Sequence, residues 1–210
     1  TGVEVTACLR RCELEVDLRP RPGAEERAQA LHAAIIAAHG KRLISADGST
    51  TDELVAKALL DRGWTVATGE SCTGGMLASR LVDRAGSSAY VAGGVVAYSN
   101  EAKTALLGVP AEMIAEHGAV SPQVARALAD GARDRFGADV GVGITGVAGP
   151  GGGTEAKPVG FVCFCVTSSD GQVIGRELTL PGERQDIRER ATDTAMHMLL
   201  RVTGALPGRD

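Results

Sequence analysis

From Thr50 onward, hydrophobic runs of strand length alternate with amphipathic runs of helix length, and this alternation restricts the chain to few architectures. Thr50-Thr51-Asp52-Glu53 has capping-box spacing, and a helix from there to Arg62 stops at Gly63. Trp64–Thr68 and Tyr90–Tyr98 read as strands, separated by a loop at 69–75 and a helix to about Val82. Asn100 is expected to cap a short helix through Leu107, a further helical turn follows Pro110, and Ser121-Pro122 opens a helix to Phe136. Asp139–Thr145 reads as a strand, followed by a glycine-rich loop from Gly146 to Thr154. Gly160–Thr167 and Val173–Leu180 form a hairpin around Ser169-Asp170-Gly171, and the last helix covers about Glu183–Val202. Strands that alternate with helices and close on a hairpin predict an α/β fold, a three-layer α/β/α sandwich with a mixed β-sheet.

Residues 1–48 break that rhythm. Val3–Leu9 and Glu13–Leu18 read as strands, a helix opens at Gly23 and runs to about Ala38 with Gly40 as its stop, and Arg42–Ser45 is a short strand. Two strands, a helix and a strand make a small α+β fragment with too little apolar surface for a core of its own. Ala46-Asp47-Gly48-Ser49 is a turn-rich junction, so the expected division is 1–48 and 49–210. The first residue is Thr, not Met, so the natural N-terminus is expected upstream.

Aromatic residues make up only 3% of the 210, so the core must be aliphatic. The net charge of −4, without a basic run, argues against nucleic-acid partners. No stretch reaches the about 18 apolar residues of a membrane span, and no signal peptide is visible. The five cysteines are odd in number and lack zinc-site spacing, which suits reduced thiols in the cytoplasm. Cys163 and Cys165 fall on one face of a strand and read as core. None of the four histidines forms a metal-spaced pair, so neither a metal site nor a cofactor is expected.

The loops at the carboxyl ends of the strands are where an α/β fold places its chemistry. Ser71 follows a strand and precedes a helix, where exposed amides and the positive dipole end favour an oxyanion. Gly69-Glu70-Ser71-Cys72-Thr73 falls one residue short of a G-x-S-x-G elbow, and Ser71 as a plain N-cap stays open. Lys103, in the first turn of its helix, faces the unfavourable dipole end, which favours a neutral amine able to act as a base; a solvated lysine stays open as well. Tyr98 ends the preceding strand and can reach the same pocket. Candidate substrate-binding residues are Thr73, Gly74 and Gly75, then Asn100, then Thr145, Gly149, Gly152 and Gly153 of the glycine-rich loop, whose amides can form an anion nest beside Lys157. Arg184 and Arg188 share a face of the last helix and can hold a phosphate, or lie solvated. Cys72 with His117 leaves a Cys–His hydrolase open.

Glu70-Ser71-Cys72-Thr73-Gly74-Gly75, Tyr98-Ser99-Asn100-Glu101-Ala102-Lys103, His117-Gly118-Ala119-Val120-Ser121, Thr145-Gly146-Val147-Ala148-Gly149-Pro150, and Gly152-Gly153-Thr154 with Lys157-Pro158-Val159-Gly160 occur in that order. Over about residues 51–203 the chain resembles the C-terminal domain of the competence/damage-inducible protein CinA, the nicotinamide-nucleotide amidohydrolase family. Residues 1–48 are similar to the end of the KH-like middle domain of long CinA proteins. One departure is Gly69, where the family usually has alanine, small for small. The resemblance implies hydrolysis of nicotinamide mononucleotide to nicotinic acid mononucleotide and ammonia, as part of pyridine nucleotide recycling. It implies Ser71 as nucleophile, Lys103 as base and Tyr98 assisting, with the oxyanion held by amides at the start of the following helix. A rival reading is a non-catalytic pyridine-nucleotide-binding sensor or assembly module of a longer protein. Exposed edges of a mixed sheet are compatible with a homodimer or larger homo-oligomer.

Overall fold

The computed structural model describes residues 2–206, which form two compact units divided between Thr50 and Thr51. In the first, β1 (Val3–Arg10) and β2 (Glu13–Pro20) form an antiparallel hairpin in which Val5 faces Leu18, Ala7 faces Val16 and Leu9 faces Leu14. The reversal takes Arg11 and Cys12 to positive φ, which costs residues with a Cβ more than glycine. Helix α1 (Glu25–His39) follows, with no buried residue. Gly40 does not stop it by turning left-handed. Its φ is −47, and the chain tightens into a 3-10 turn over Gly40–Arg42. The expected strand at Arg42–Ser45 is absent. Leu43 is extended, but its N–H donates back to Gly40 O at 3.4 Å and no strand among the described residues pairs with it, and a strand exists only where one does.

The second unit follows the expected alternation. Helix α2 (Thr51–Arg62) ends at Gly63, whose φ of +62 lets Gly63 and Trp64 donate back to Leu60 O and Leu59 O. Then come β3 (Val66–Glu70), α3 (Met76–Val82), β4 (Val91–Val96), α4 (Asn100–Leu107), α5 (Ala111–His117), α6 (Pro122–Phe136), β5 (Val140–Gly146), β6 (Phe161–Ser168), β7 (Val173–Thr179) and α7 (Arg184–Val202). Several boundaries differ from expectation: β4 stops at Val96, so Tyr98 lies two residues past the strand it was expected to end, and β5 runs from Val140 to Gly146. The strand after Trp64 runs on to Glu70, and the cap of α4 is Ser99, whose Oγ accepts from Ala102 N, so Asn100 lies inside the helix. Ser121 caps α6 with proline behind it, as the sequence implied.

The sheet order is β4-β3-β5-β6-β7. β3 runs parallel to both β4 and β5, while β6 and β7 are antiparallel. The two crossovers from β3 to β4 and from β4 to β5 leave α3 with α2 and α7 on one face and α4 to α6 together on the other, as expected for right-handed connections. α7 packs on α2, α3 and β6, and α6 packs on β3, β5 and β6. The result is the three-layer α/β/α sandwich with a mixed sheet.

Helix α6 lies against the sheet at a distance only glycine permits. Gly69 pairs with Gly143, and Gly141 is two residues along β5 on the same face. A Cβ at Gly143 would stand 2.0 Å from Ala125 O, and one at Gly141 2.0 Å from Ala129 O. At Gly69 an alanine would meet Leu128 O at 2.7 Å, so glycine there goes with a closer seat for α6 than small-for-small suggested. Cys163 and Cys165 pack against Ala125 and Ala129 of α6, and burial pushes their thiols up to about 12 and about 11.

This contact is open to test. Gly143→Ala is expected to cost about 3 kcal/mol or more, at or above the upper end of overpacking penalties. Gly175→Ala, whose Cβ would meet only Phe164 O at 3.9 Å, should stay within about 0.5 kcal/mol. Urea midpoints measure both, and equal losses would refute the close seat of α6.

Candidate active site

Strand β3 delivers Glu70 and then Ser71. The Ser71 N–H donates to Ile144 O at 2.9 Å, extending the β3–β5 ladder by one residue. Glu70 is fully buried. Its carboxylate accepts from Gly75 N at 3.0 Å, Leu77 N at 3.1 Å, Ala78 N at 2.8 Å and Thr68 Oγ1 at 3.2 Å. The acid thus caps α3 from the strand behind it, where orphan amides and the helix dipole favour a negative charge. Two consequences follow. Ser71 is not the N-cap; that place belongs to Gly75. The amides opening α3, expected to hold an oxyanion, already serve Glu70.

Gly74 and Gly75 have φ of +63 and +92, so what they supply is the turn from strand to helix. Neither lines the cavity, nor does the buried Thr73.

A cavity of about 300 Å³ opens beside the turn, within the range of small-molecule sites. Ser71, Tyr98, Asn100, Lys103, Thr145, Gly149, Gly152 and Arg184 all line it, so the fold brings together eight of the residues singled out in the sequence. Gly153, Lys157 and Arg188 lie outside its lining, as does His117. Lys157 Nζ donates to His117 O at 2.8 Å, tying the glycine loop to the end of α5.

Lys103 is only 2% exposed, so it is not a solvated lysine. Its Nζ donates to Tyr98 O at 3.2 Å and Ser99 O at 3.5 Å. Among the described residues no carboxylate forms an ion pair with it. Burial lowers its pKa, with Cys72 and Glu101 pulling the other way. Burial pushes the Cys72 thiol up to about 11, so the thiolate is scarce at neutral pH.

The rim is also organised. Arg184 donates to Gly149 O at 2.6 Å and to Tyr98 Oη at 2.9 Å. Thr145 Oγ1 donates to Ala119 O at 2.8 Å. With Ser99 as the cap, the Asn100 side chain is free to face the cavity, and no described group bonds to it or to Ser71 Oγ. Among the described residues no three His, Cys, Asp or Glu side chains group to hold a metal, and no helix is long and apolar enough to cross a membrane. The sequence reading missed Glu70 as a cap and the apolar wall of Ala119, Val120, Val147 and Ala148. An acid immediately before a turn with two glycines was the available signal for the former.

Over residues 48–203 the chain matches the family model described as the CinA C-terminal domain. It is 59% identical over 200 residues to a CinA-like protein of Mycobacterium sp. (strain MCS), covering 95% of this chain and 47% of the relative. It is 54% identical over 206 residues to a CinA-like protein of Mycobacterium tuberculosis (strain ATCC 25177 / H37Ra), covering 98% and 47%. The chain therefore spans about half the length of the curated relatives it matches. Among solved structures it is similar to the competence/damage inducible protein CihA of Agrobacterium tumefaciens, with 42% identity and a TM-score of 0.69 over 72% of this chain and 94% of that one. A CinA superfamily protein of Klebsiella pneumoniae 700603 gives 38% identity and a TM-score of 0.70 over 75% and 99%.

Two stability measurements check the site's construction. Glutamine at 70 offers one acceptor and turns an NH2 towards amide donors, so Glu70→Gln should lose roughly 3 kcal/mol, at about 1–3 kcal/mol per buried donor left unpaired. Unchanged melting would remove that role from the carboxylate. For Lys103, the folded pKa is lowered from 10.5, so between the two values the unfolded chain binds more protons and stability rises with pH. Lys103→Met is therefore expected to gain on wild type at pH values below the folded pKa, with the gain shrinking as pH climbs towards 10.5. A pH-independent difference would contradict the burial penalty.

Proposed function

Because the chain belongs to the CinA C-terminal domain family, we propose that it hydrolyses the carboxamide of nicotinamide mononucleotide, giving nicotinic acid mononucleotide and ammonia by acyl transfer through Ser71. We read 49–210 as the catalytic domain, 1–48 as the end of a KH-like one, and the reaction as cytoplasmic pyridine nucleotide recycling. The observation that carries the proposal is Lys103, a buried amine with lowered pKa and no carboxylate partner among the described residues, lining the same cavity as Ser71.

Neutral Lys103 takes the Ser71 Oγ proton as Oγ attacks the amide carbon. Collapse of the tetrahedral intermediate expels the nitrogen, which leaves as ammonia with the proton returned by Lys103. Water, deprotonated by Lys103, then cleaves the acyl-enzyme. Tyr98 supports this arrangement in two ways: its carbonyl holds Lys103 Nζ, and its hydroxyl holds Arg184 at the mouth. The Arg184 guanidinium at the mouth suits the nucleotide phosphate, as do the Gly151 and Gly152 amides, for which no protein acceptor lies among the described residues. The Cys72–His117 alternative is disfavoured by a thiol held protonated and a histidine outside the cavity lining.

Ammonia release from nicotinamide mononucleotide tests the proposal. Ser71→Ala should abolish it, and Cys72→Ala should keep most of it. Lys103→Met and Lys103→Arg should both fall by at least the ~10²–10⁴-fold of a lost general base, since arginine keeps the charge but holds its proton. Wild-type kcat/KM should rise with pH as Lys103 deprotonates. Nicotinamide riboside, lacking the phosphate, should react far more slowly. An active Lys103→Arg variant would remove Lys103 from the base role. Tight nucleotide binding without turnover would make the domain a sensor or assembly module instead.

A further inference from the structure

Arg188 shares a face of α7 with Arg184 but lies outside the cavity lining. Its guanidinium approaches the Ser71–Gly75 turn from α7, donating Nε–H to Cys72 O at 3.2 Å and Nη2–H to Thr73 O at 2.9 Å. Nη1 reaches Gln185 Oε1 at 3.4 Å. Its charge is thus spent on two backbone carbonyls, and charge-assisted bonds of this kind are roughly twice as strong as neutral ones.

Peptide geometry passes that grip across the turn. In a trans peptide the C=O and N–H point in opposite directions, and the bonds here are trans. Holding Cys72 O towards Arg188 turns the Thr73 N–H away from it. Holding Thr73 O turns the Gly74 N–H away as well, and that N–H donates to Ser71 O at 3.1 Å. With Ser71 O engaged, the Cys72 N–H must point to the opposite side. The Cys72 and Thr73 N–H groups therefore both lie on the side of the turn away from Arg188, and Cys72 lines the cavity next to Ser71. No described carbonyl or carboxylate accepts from either. The amides opening α3 belong to Glu70, whereas the Cys72 N–H, the first donor after the nucleophile, belongs to a residue that lines the cavity.

We propose that Arg188 is a positioning residue, holding the Cys72 and Thr73 carbonyls and so fixing the turn with the Cys72 N–H facing the oxyanion formed when Ser71 attacks. This rests on the acyl-transfer reading above. The positive charge behind the turn also reinforces its peptide dipoles towards the nucleophile. Donors fixed before the reaction avoid reorganisation in the transition state, which is where such a site gains its rate.

The experiment compares Arg188→Gln with Arg184→Gln on nicotinamide mononucleotide and follows backbone amide exchange of residues 72–74 by NMR. Arg188→Gln is expected to lower kcat ~10–10²-fold, short of the ~10²–10³-fold for losing a whole donor, with KM within about twofold. Arg188→Lys, which keeps the charge and can still reach a carbonyl, should recover part of kcat. Arg184→Gln should instead raise KM. Amide exchange at Thr73 and Gly74 should accelerate in Arg188→Gln. A raised KM with unchanged kcat in Arg188→Gln would make Arg188 a substrate ligand and overturn the proposal, as would unchanged exchange. If Arg188→Gln does not fold, Arg188→Lys is read by the same kcat and exchange criteria. A wild type that releases no ammonia would refute the amidase reading, and the exchange measurement would then decide separately whether Arg188 holds the turn.

Discussion

The buried Glu70 carboxylate is the contact on which the site depends. A carboxylate removed from water is tolerated only where hydrogen bonds replace its hydration. Glu70 obtains them from three amides at the start of α3 and from Thr68 Oγ1. The cap joins the end of a strand to the helix that follows, so the five residues between can turn only one way. Two glycines at positive φ make that turn sterically possible, and Arg188 secures its outer side. Ser71 is left at the end of the ladder, its N–H on Ile144 O and its hydroxyl unbonded among the described residues.

The opposite layer supplies the second half. With glycine at 69, 141 and 143, α6 settles directly onto β3 and β5. α4 and α5 pack on α6, and Leu107, Val109 and Ile114 join Val124 and Leu128 in one core cluster. Lys103 is carried into the interior on α4 by this packing. Its amine there meets two backbone carbonyls instead of a carboxylate, and an unpaired buried cation is easier to deprotonate than a paired one. The apolar seat of α4 and the chemistry proposed for Lys103 therefore have one physical origin.

The cavity wall comes from five places in the chain: the turn after β3, the segment entering α4, residues before α6, the end of β5 with its glycine loop, and the first turn of α7. Most of these lie beyond the carboxyl ends of the parallel strands, where the crossovers diverge to opposite faces and leave a crevice. Arg184 spans the mouth by bonding both Tyr98 and Gly149, linking the loop after β4 to the glycine loop.

Local pattern in the sequence was enough to specify the α/β alternation, the strand-to-helix turn at Ser71, the cap at Ser121 and the stop at Gly63, because each depends on neighbours within a few residues. It also marked Lys103 as oddly placed, since a cation near a helix N-terminus conflicts with the dipole. The ordered motifs pointed to the family. Tertiary structure alone decided the rest. Whether Lys103 is solvated or buried depends on α6, whose first residue is nineteen positions further on. Ser99 rather than Asn100 caps α4, a choice between two good cappers set by where β4 ends. Arg184 and Arg188 are one helical turn apart and look equivalent in the sequence, yet one faces the cavity and the other the back of the turn. A strand at Arg42–Ser45 fails for want of a partner. Burial, partner and direction are properties of distant segments meeting, and no window of local sequence contains them.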